Sequence, residues 1–237
     1  MADPEHEGNE FAGNGPELNL MDTVAAVGRI GYSDLLTIAW ASVLFTICSI
    51  PLVTVGGAII ALVRTMTVVV TGENRGGPTT ERERIRIFLD TFRANVRRGL
   101  PYSAALVLTA GTTIYYVIAA TQYGSGVLMI GGLIGLYAIV IVLAWSFRAA
   151  SVTVRSAEEP GFAAAAREGA YLALEYPSYT VLHLVTLGGL LLVATVFPIA
   201  YAIVVPGLIA LIEVVSFEET GGQGAMSLVR AYRGELA

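Results

Sequence analysis

The sequence predicts an all-α fold, a polytopic transmembrane helix bundle with two cytoplasmic amphipathic helices. Three observations carry that reading. Of the 237 residues, 55% are hydrophobic and only 14% charged, against roughly one quarter charged in soluble domains, and the mean hydropathy is +0.68. Six apolar runs follow one another along the chain, enough for about five or six crossings of roughly 20 residues each. Arginines collect in alternate connections between the runs, as repeated crossings with a positively charged cytoplasmic side require.

Residues 1–32 read as an acidic, disordered tail. Asp3, Glu5, Glu7, Glu10 and Glu17 lie among glycines, and Met1 to Glu17 has neither the basic nor the apolar region of a signal peptide. Residues 33–217 read as the transmembrane domain. Its first two runs, Leu35 to Ile50 and Leu52 to Val70, are interrupted by the stretch CSIPLVTVGGAII from Cys48 to Ile60. A hairpin there gives six crossings; one bent helix gives five. If Pro51 to Gly57 is non-helical, the legs Leu35 to Ile50 and Ala58 to Val70 measure about 24 and 20 Å at 1.5 Å per residue, short of the roughly 30 Å of hydrocarbon. Irregular backbone at that depth needs protein or water around it, which makes Ser49, Pro51, Thr54, Gly56 and Gly57 a candidate broken-helix element.

The next connection, PTTERERIRIFLDTFRANVRRG, carries Ile85, Phe88, Leu89, Phe92 and Val96 at three- and four-residue steps, one apolar stripe of an amphipathic helix. Thr80 with Glu83 has the spacing of a capping box, and Gly99 with Pro101 is expected to end the helix. Runs at Leu100 to Thr121 and Val127 to Phe147 follow. The second connection, between Pro160 and Pro177, is alanine-rich and predicts another cytoplasmic helix. Runs at Tyr179 to Pro198 and Ile199 to Phe217 complete the six, and residues 218–237 form a short C-terminal segment. Tyr102 and Tyr179 stand where an interfacial aromatic belt is expected. Span, amphipathic helix and span occur twice in this order, a loose internal repeat.

Arg75, Arg82, Arg84, Arg86, Arg93, Arg97 and Arg98 separate the second and third runs. Arg148, Arg155 and Arg167 separate the fourth and fifth, and Arg230 and Arg233 follow the sixth. These connections of a multi-pass cell-membrane protein are assigned to the cytoplasm, with TQYGSG and VFPIAY opposite and both termini cytoplasmic under the six-run count.

The first third of the domain, WASVLFTICSIPLVTVGGAIIALVRTMTVVVTGE followed by FLDTFRANVRRGL, resembles the YesL-like integral membrane proteins, domain of unknown function 624. In that family a helix ends in a Ser-Leu-Pro-x-x-Thr-x-Gly stretch and is followed by a Phe-x-x-x-Phe-x-x-Asn amphipathic helix. The matching residues are Ser49, Pro51, Thr54, Gly56, Phe88, Phe92 and Asn95; Ile50 and Gly57 depart from the usual leucine and proline. The resemblance implies an accessory role in carbohydrate uptake or utilisation, with sugar-importer components as partners, and it supplies no catalytic residues.

Arg64, His183 and Glu213 are ionisable residues inside apolar runs, each within about 6–10 Å of the cytoplasmic end by residue count. Such residues pair within the bundle or snorkel to the interface, so an Arg64–Glu213 ion pair with His183 beside it is the specific expectation. Arg82, Arg86, Arg93 and Arg97 form either a docking face for a partner or anionic lipid, or a solvated face that fixes topology. Arg167 to Ala170, REGA, faintly resembles the coupling loop of sugar-importer permeases. The glycines of GGLIG, Gly131 to Gly135, suit close helix packing.

Chemistry is otherwise sparse. Cys48 is the lone cysteine, and His6 and His183 are the only histidines, so neither a disulfide nor a histidine-rich metal site is expected. No phosphate-binding glycine loop or paired carboxylate appears, and a net charge of −5 argues against a nucleic-acid partner. The sequence therefore points to a non-enzymatic membrane protein without cofactors. A transporter or permease subunit binding solute between broken helices is the alternative.

Overall fold

The computed structural model describes residues 20–71, 80–156, 160–196 and 202–221, and these contain helices but no strand. In order they are α1 (Leu20–Ser33), α2 (Leu35–Ser49), a 3₁₀ turn (Leu52–Thr54), α3 (Val55–Thr71), α4 (Glu81–Tyr123), α5 (Gly126–Arg155), α6 (Phe162–Glu175), α7 (Pro177–Val196) and α8 (Val205–Gly221). The all-α class expected from composition is what folds.

Helix α1 corrects the expectation of a disordered tail as far as Leu20. Thr23, Ala26 and Ile30, at steps of three and four, are buried, and Gly31 approaches Leu208 and Leu211 of α8. That stripe gives the segment a face to bury, which offsets the entropy of ordering it. The part of the tail before Leu20 lies outside the described residues. At the other end, α8 runs into the predicted C-terminal segment as far as Gly221.

Helix α3 is the centre of the core. Fourteen of its seventeen residues are buried, and Ile59, Leu62 and Met66 join Phe88 of α4, Phe147 of α5 and Leu211 of α8 in one hydrophobic cluster. A helix that is apolar on every side must be covered on every side. Here protein supplies the cover: α3 packs against α2, α4, α5 and α8.

Helix α4 is 43 residues long, about 64 Å at 1.5 Å per residue. It joins the predicted amphipathic helix and the third run without a break, so the expected stop at Gly99 and Pro101 does not occur. Thr80 is the N-cap, but its side chain makes no capping bond; the backbone amides of Glu83 and Arg84 donate to its carbonyl. Pro101 lacks an amide and removes one helical bond, a cost of about 3 kcal/mol in an isolated helix. Neighbouring helices hold the axis through it. Gly99 brings α4 against Gly56 and Gly57 so closely that a Cβ on Gly99 would stand 2.1 Å from the Gly57 nitrogen. One turn on, Ser103 Oγ accepts the Gly56 amide at 2.8 Å.

Helices α4 and α5 make an antiparallel hairpin. Gly124, at φ +61°, supplies the left-handed residue that closes α4. Gly131 fits against the Tyr116 ring and Gly135 against Thr113, the packing role expected for GGLIG. Away from that seam the hairpin is exposed and apolar, with Leu108, Ile114, Met129, Leu133 and Tyr137 outward.

Three helices among the described residues are long and apolar enough to cross a membrane: Leu52–Thr71, α4 and α5. Protein covers 78% of the apolar window in the first, against 17% in α4 and 6% in α5. Helices α1 and α2, bent by 85° at Asp34, qualify only when counted together as one broken span. Helix α2 alone has 15 residues, too few for a crossing. The fifth and sixth predicted runs correspond to α7 and α8, and the chain between them, residues 197–201, is outside the described set.

The two predicted belt tyrosines are buried instead. Tyr102 and Tyr179 are each 2% exposed. Tyr102 stacks edge-on to Phe162 of α6 at 4.8 Å between centroids and sits 6.3 Å from Trp145 of α5. Trp145 donates its indole N–H to the Ala166 carbonyl at 3.1 Å, so this aromatic group fastens α6 to the base of the hairpin. Helix α6 ends at Glu175 with Tyr176 as its C-cap, and Pro177 opens α7 at the first helical position, where its missing amide costs nothing.

A buried Arg–His–Glu cluster and its cavity

Glu213 lies in the middle of α8 and is fully buried. A lone ionised carboxylate in such surroundings is prohibitively costly, and two side chains meet it. Arg148 Nε of α5 lies 2.7 Å from Oε1, and His183 Nδ1 of α7 lies 3.2 Å from Oε2. Arg148 is 5% and His183 4% exposed. A second ion pair, Arg155 with Glu218, joins α5 and α8 farther along. Both arginines precede their partners in the same sense, so α5 and α8 run parallel at this point.

The cluster gives partial form to the sequence expectation and corrects its cation. His183 and Glu213 do come together, but the arginine beside them is Arg148 of α5, not Arg64 of α3. Arg64 is half-buried on α3. The sequence places Arg148 in a cytoplasmic connection because it directly follows the run ending at Phe147. The signal that it is internal was present in the next residues, AASVTV, which prolong the apolar pattern past it; Ala149, Ala150, Ser151 and Val152 are all buried.

Arg148, His183 and Glu213 lie along a cavity of about 290 Å³ between α5, α6, α7 and α8, whose other walls include Ala144, Ala173, Leu174 and Leu184. The polar atoms are imperfectly paired. Arg148 Nη1 and His183 Nε2 are buried without a hydrogen-bond partner among the described residues, and the approaches to Glu213 have ion-pair distances without hydrogen-bond geometry. His183 Nδ1 is the ring nitrogen nearer Glu213, at 3.2 Å from Oε2. The cavity walls are mainly apolar, with Thr180 beside the cluster residues among them.

The predicted broken-helix element takes a different role. Helix α2 ends at Ser49, Pro51 is extended, and Leu52–Thr54 forms the 3₁₀ turn into α3. The Thr54 hydroxyl donates to the Pro51 carbonyl at 2.7 Å and closes the turn. Ile50, Leu52 and Val53 are 74, 62 and 60% exposed, an apolar tip. Gly56 and Gly57 are consumed by the crossing with Asn95, Val96 and Gly99, while Ser49 Oγ is enclosed without a hydrogen-bond partner among the described residues. The same device recurs at the start of α8, where Ser42 Oγ accepts the Gly207 amide at 2.8 Å. In both cases a serine on a neighbouring helix satisfies an amide that the first turn of a helix leaves open.

Arg82, Arg86, Arg93 and Arg97 are all exposed, with Arg86 3.5 Å from Asp90 on the same helix. Arg84 turns the other way, on the side of Phe88. It bonds Asp34 at 2.8 Å and Thr37 at 2.6 Å, while Glu81 accepts from Thr37 at 3.0 Å and from the Trp40 indole. This polar group ties the start of α4 to the start of α2, and nothing in residue spacing announced it. In REGA, Arg167 and Glu168 are exposed and Gly169 is buried, against the Ala149 backbone. Among the described residues no group of three or more His, Cys, Asp or Glu side chains could hold a metal ion.

Compared with protein-family models, curated proteins and solved structures, the chain matches none.

Proposed function

We propose that the protein is a non-enzymatic multi-pass membrane protein, an accessory factor in carbohydrate uptake, held by the α4–α5 hairpin and presenting the arginine-bearing half of α4 to a cytoplasmic partner. The observation that carries this reading is the continuity of α4. One rigid helix joins exposed Arg82, Arg86, Arg93 and Arg97 to an exposed apolar stretch that begins near Tyr102 and ends at Tyr123. The carbohydrate link rests on the YesL-like residues Ser49, Pro51, Thr54, Gly56, Phe88, Phe92 and Asn95.

The same continuity bears on the number of crossings. Helix α3 meets α4 at Gly99 with its first turn, and the chain re-enters α4 at Glu81, so α3 lies beside Glu81 to Gly99. Helix α2 lies there too, since Asp34, Thr37 and Trp40 bind Glu81 and Arg84 at the start of α4. Each exposed arginine at the bilayer centre costs about 2.5–3.5 kcal/mol by insertion scales, so that half of α4 belongs outside the hydrocarbon, with α2 and α3 at the same height. In this reading α3 is apolar because it is the core of a cytoplasmic helical body. The exposed Ile50–Val53 tip touches the membrane from the cytoplasmic side.

Topology and partner are tested separately. With Cys48 replaced by alanine, single cysteines at Leu52 and Tyr123 are labelled in intact cells with an impermeant maleimide. Labelling of Tyr123→Cys alone fits the hairpin; labelling of both restores the six-span arrangement with the tip outside. For the partner, co-purification with an importer's ATPase that is lost when Arg82, Arg86, Arg93 and Arg97 become glutamine supports the accessory role. Solute uptake by the purified protein in vesicles, without partner, would instead favour a permease.

A further inference from the structure

We propose that the α4–α5 hairpin pairs inside the bilayer with the hairpin of a second copy of this chain, Tyr137 of each copy donating a hydrogen bond to Thr112 of the other. The inference rests on the hairpin crossing the membrane, as read above, and not on any cytoplasmic partner. Thr112 lies about 15–17 Å from both Tyr102 and Tyr123 at 1.5 Å per residue, in the middle of a hydrocarbon layer of roughly 30 Å. Gly135 packs on Thr113 and Gly131 on Tyr116, so α5 runs antiparallel to α4 and Tyr137 stands level with Thr112. Tyr137 is 65% exposed and Tyr115, one turn from Thr112, 68%; Thr112 is exposed as well. A phenol hydroxyl among lipid tails finds no hydrogen-bond partner. Tyrosines accordingly collect at the membrane interfaces, and one at mid-depth is too short to reach either. The middle of the hairpin therefore needs a cover of protein.

These side chains share one face of the hairpin. A groove of about 350 Å³ runs between the two helices, lined by Leu108, Thr109, Thr112, Tyr116, Ile134 and Gly135. Tyr115 packs edge-on against Tyr116 at 6.0 Å between ring centroids, and Tyr137, three residues past Ile134, flanks the groove on the α5 side. A two-fold axis along the membrane normal sets α4 of one copy opposite α5 of the other and keeps every residue at its own depth. Thr112 then faces Tyr137 of the second copy, and the same contact recurs by symmetry, as an isologous interface requires. A phenol donates, and a threonine oxygen keeps a lone pair to accept with, whatever its own proton does. Thr109 and Thr113 use theirs within α4, donating to the carbonyls of Ala105 and Thr109. The second copy is the occupant because it carries the complementary group on the facing helix at the matching depth.

The test uses the full-length chain with Cys48 replaced by alanine. Two differently tagged copies, one Thr112→Cys and one Tyr137→Cys, are co-expressed and treated in membranes with a short, membrane-permeant bis-methanethiosulfonate. A cross-linked product carrying both tags is expected. Leu136→Cys, 54% exposed at the same depth but on the side of α5 opposite Ile134 and Ala138, should not cross-link to Thr112→Cys. Energy transfer between terminally tagged chains in phosphatidylcholine vesicles should follow a monomer–dimer equilibrium as lipid is added. Each interhelical hydrogen bond in a membrane is worth a factor of about three, and the axis uses this one twice, so Tyr137→Phe should weaken association about tenfold. Equal cross-linking of Leu136→Cys, tagged chains that stay monomeric at every lipid ratio, unchanged association of Tyr137→Phe, or cross-linking of Thr112→Cys to a different protein in native membranes in place of its own copy would each overturn the pairing. The energy-transfer arm leaves the hairpin unaltered, so a misfolded variant cannot decide the outcome. Absence of the cross-link with Tyr123→Cys labelled from outside the cell overturns the pairing alone. The cross-link with Tyr123→Cys out of reach overturns the membrane placement and keeps the contact.

Discussion

Replacing Gly99 with alanine places one methyl group into the tightest helix crossing in the described structure. Its Cβ would lie 2.1 Å from the Gly57 nitrogen, 2.5 Å from the Gly56 carbonyl carbon and 2.7 Å from Gly57 Cα. All three are backbone atoms, so no side chain can swing aside. To reach ordinary contact at 3.4 Å, α3 and α4 must separate by about 1.3 Å, and a gap of that order forfeits a quarter to a half of the dispersion energy of every facing atom pair. It also stretches the Gly56 N–H···Ser103 bond beyond its 2.8 Å. Overpacking of this kind costs about 1–3 kcal/mol where side chains can adjust, and backbone against backbone belongs at or above the upper figure. Alanine's better helix propensity returns about 1 kcal/mol, leaving a net loss of roughly 2 kcal/mol or more. Gly111, on the same helix with nothing within 4 Å of a Cβ, is the control: Gly111→Ala keeps the propensity gain without the clash. Both variants are unfolded in detergent by urea, followed through Trp40 and Trp145 fluorescence. Equal stabilities for Gly99→Ala and Gly111→Ala would refute the crossing.

Removing one partner of the buried ion pair should be costly, and removing both should not. Glu213→Gln leaves Arg148 charged and uncompensated, with an expected loss of about 3–5 kcal/mol, whereas Glu213→Gln with Arg148→Met should recover most of it; additive losses in this double-mutant cycle would contradict the pairing. Arg84→Met removes the bonds to Asp34 and Thr37, expected to cost about 1.5–3 kcal/mol and to shift Trp40 emission, since its partner Glu81 shares the same group. Arg93→Gln, at an exposed position, should change stability by no more than about 0.5 kcal/mol. A loss from Arg93→Gln as large as that from Arg84→Met would mean that the inward and outward faces of α4 are misassigned.

Much of the secondary structure was legible because it follows from periodicity. The stripe Ile85, Phe88, Leu89, Phe92 and Val96 announced the first half of α4, and Phe88 is fully buried on it. Pro177, expected just past the end of the second connecting helix, opens α7. The expected stop at Gly99 failed because proline and glycine lower local helix stability by amounts that packing against α3 outweighs. Helix α1 was missed because a three-residue stripe has meaning only once α8 supplies a surface for it. Of the buried cluster, His183 and Glu213 stood out as ionisable residues in apolar runs. Arg148 did not, because a charge at the edge of a run reads as the edge itself.

By itself the sequence determined what kind of material each segment is: apolar helices, an arginine-bearing helical stretch, and turns set by Pro51, Gly124 and Pro177. Those properties come from local sterics and from transfer of side chains out of water, and both are carried by a residue and its near neighbours. Hydropathy does not say whether apolar surface is covered by lipid or by protein, because the two solvate a methyl group about equally well. Only the tertiary structure distinguished α3, enclosed on every side, from the exposed hairpin of α4 and α5. It alone brought Arg148, His183 and Glu213 from three helices to one carboxylate, since a contact between residues 65 positions apart is decided by how the helices pack.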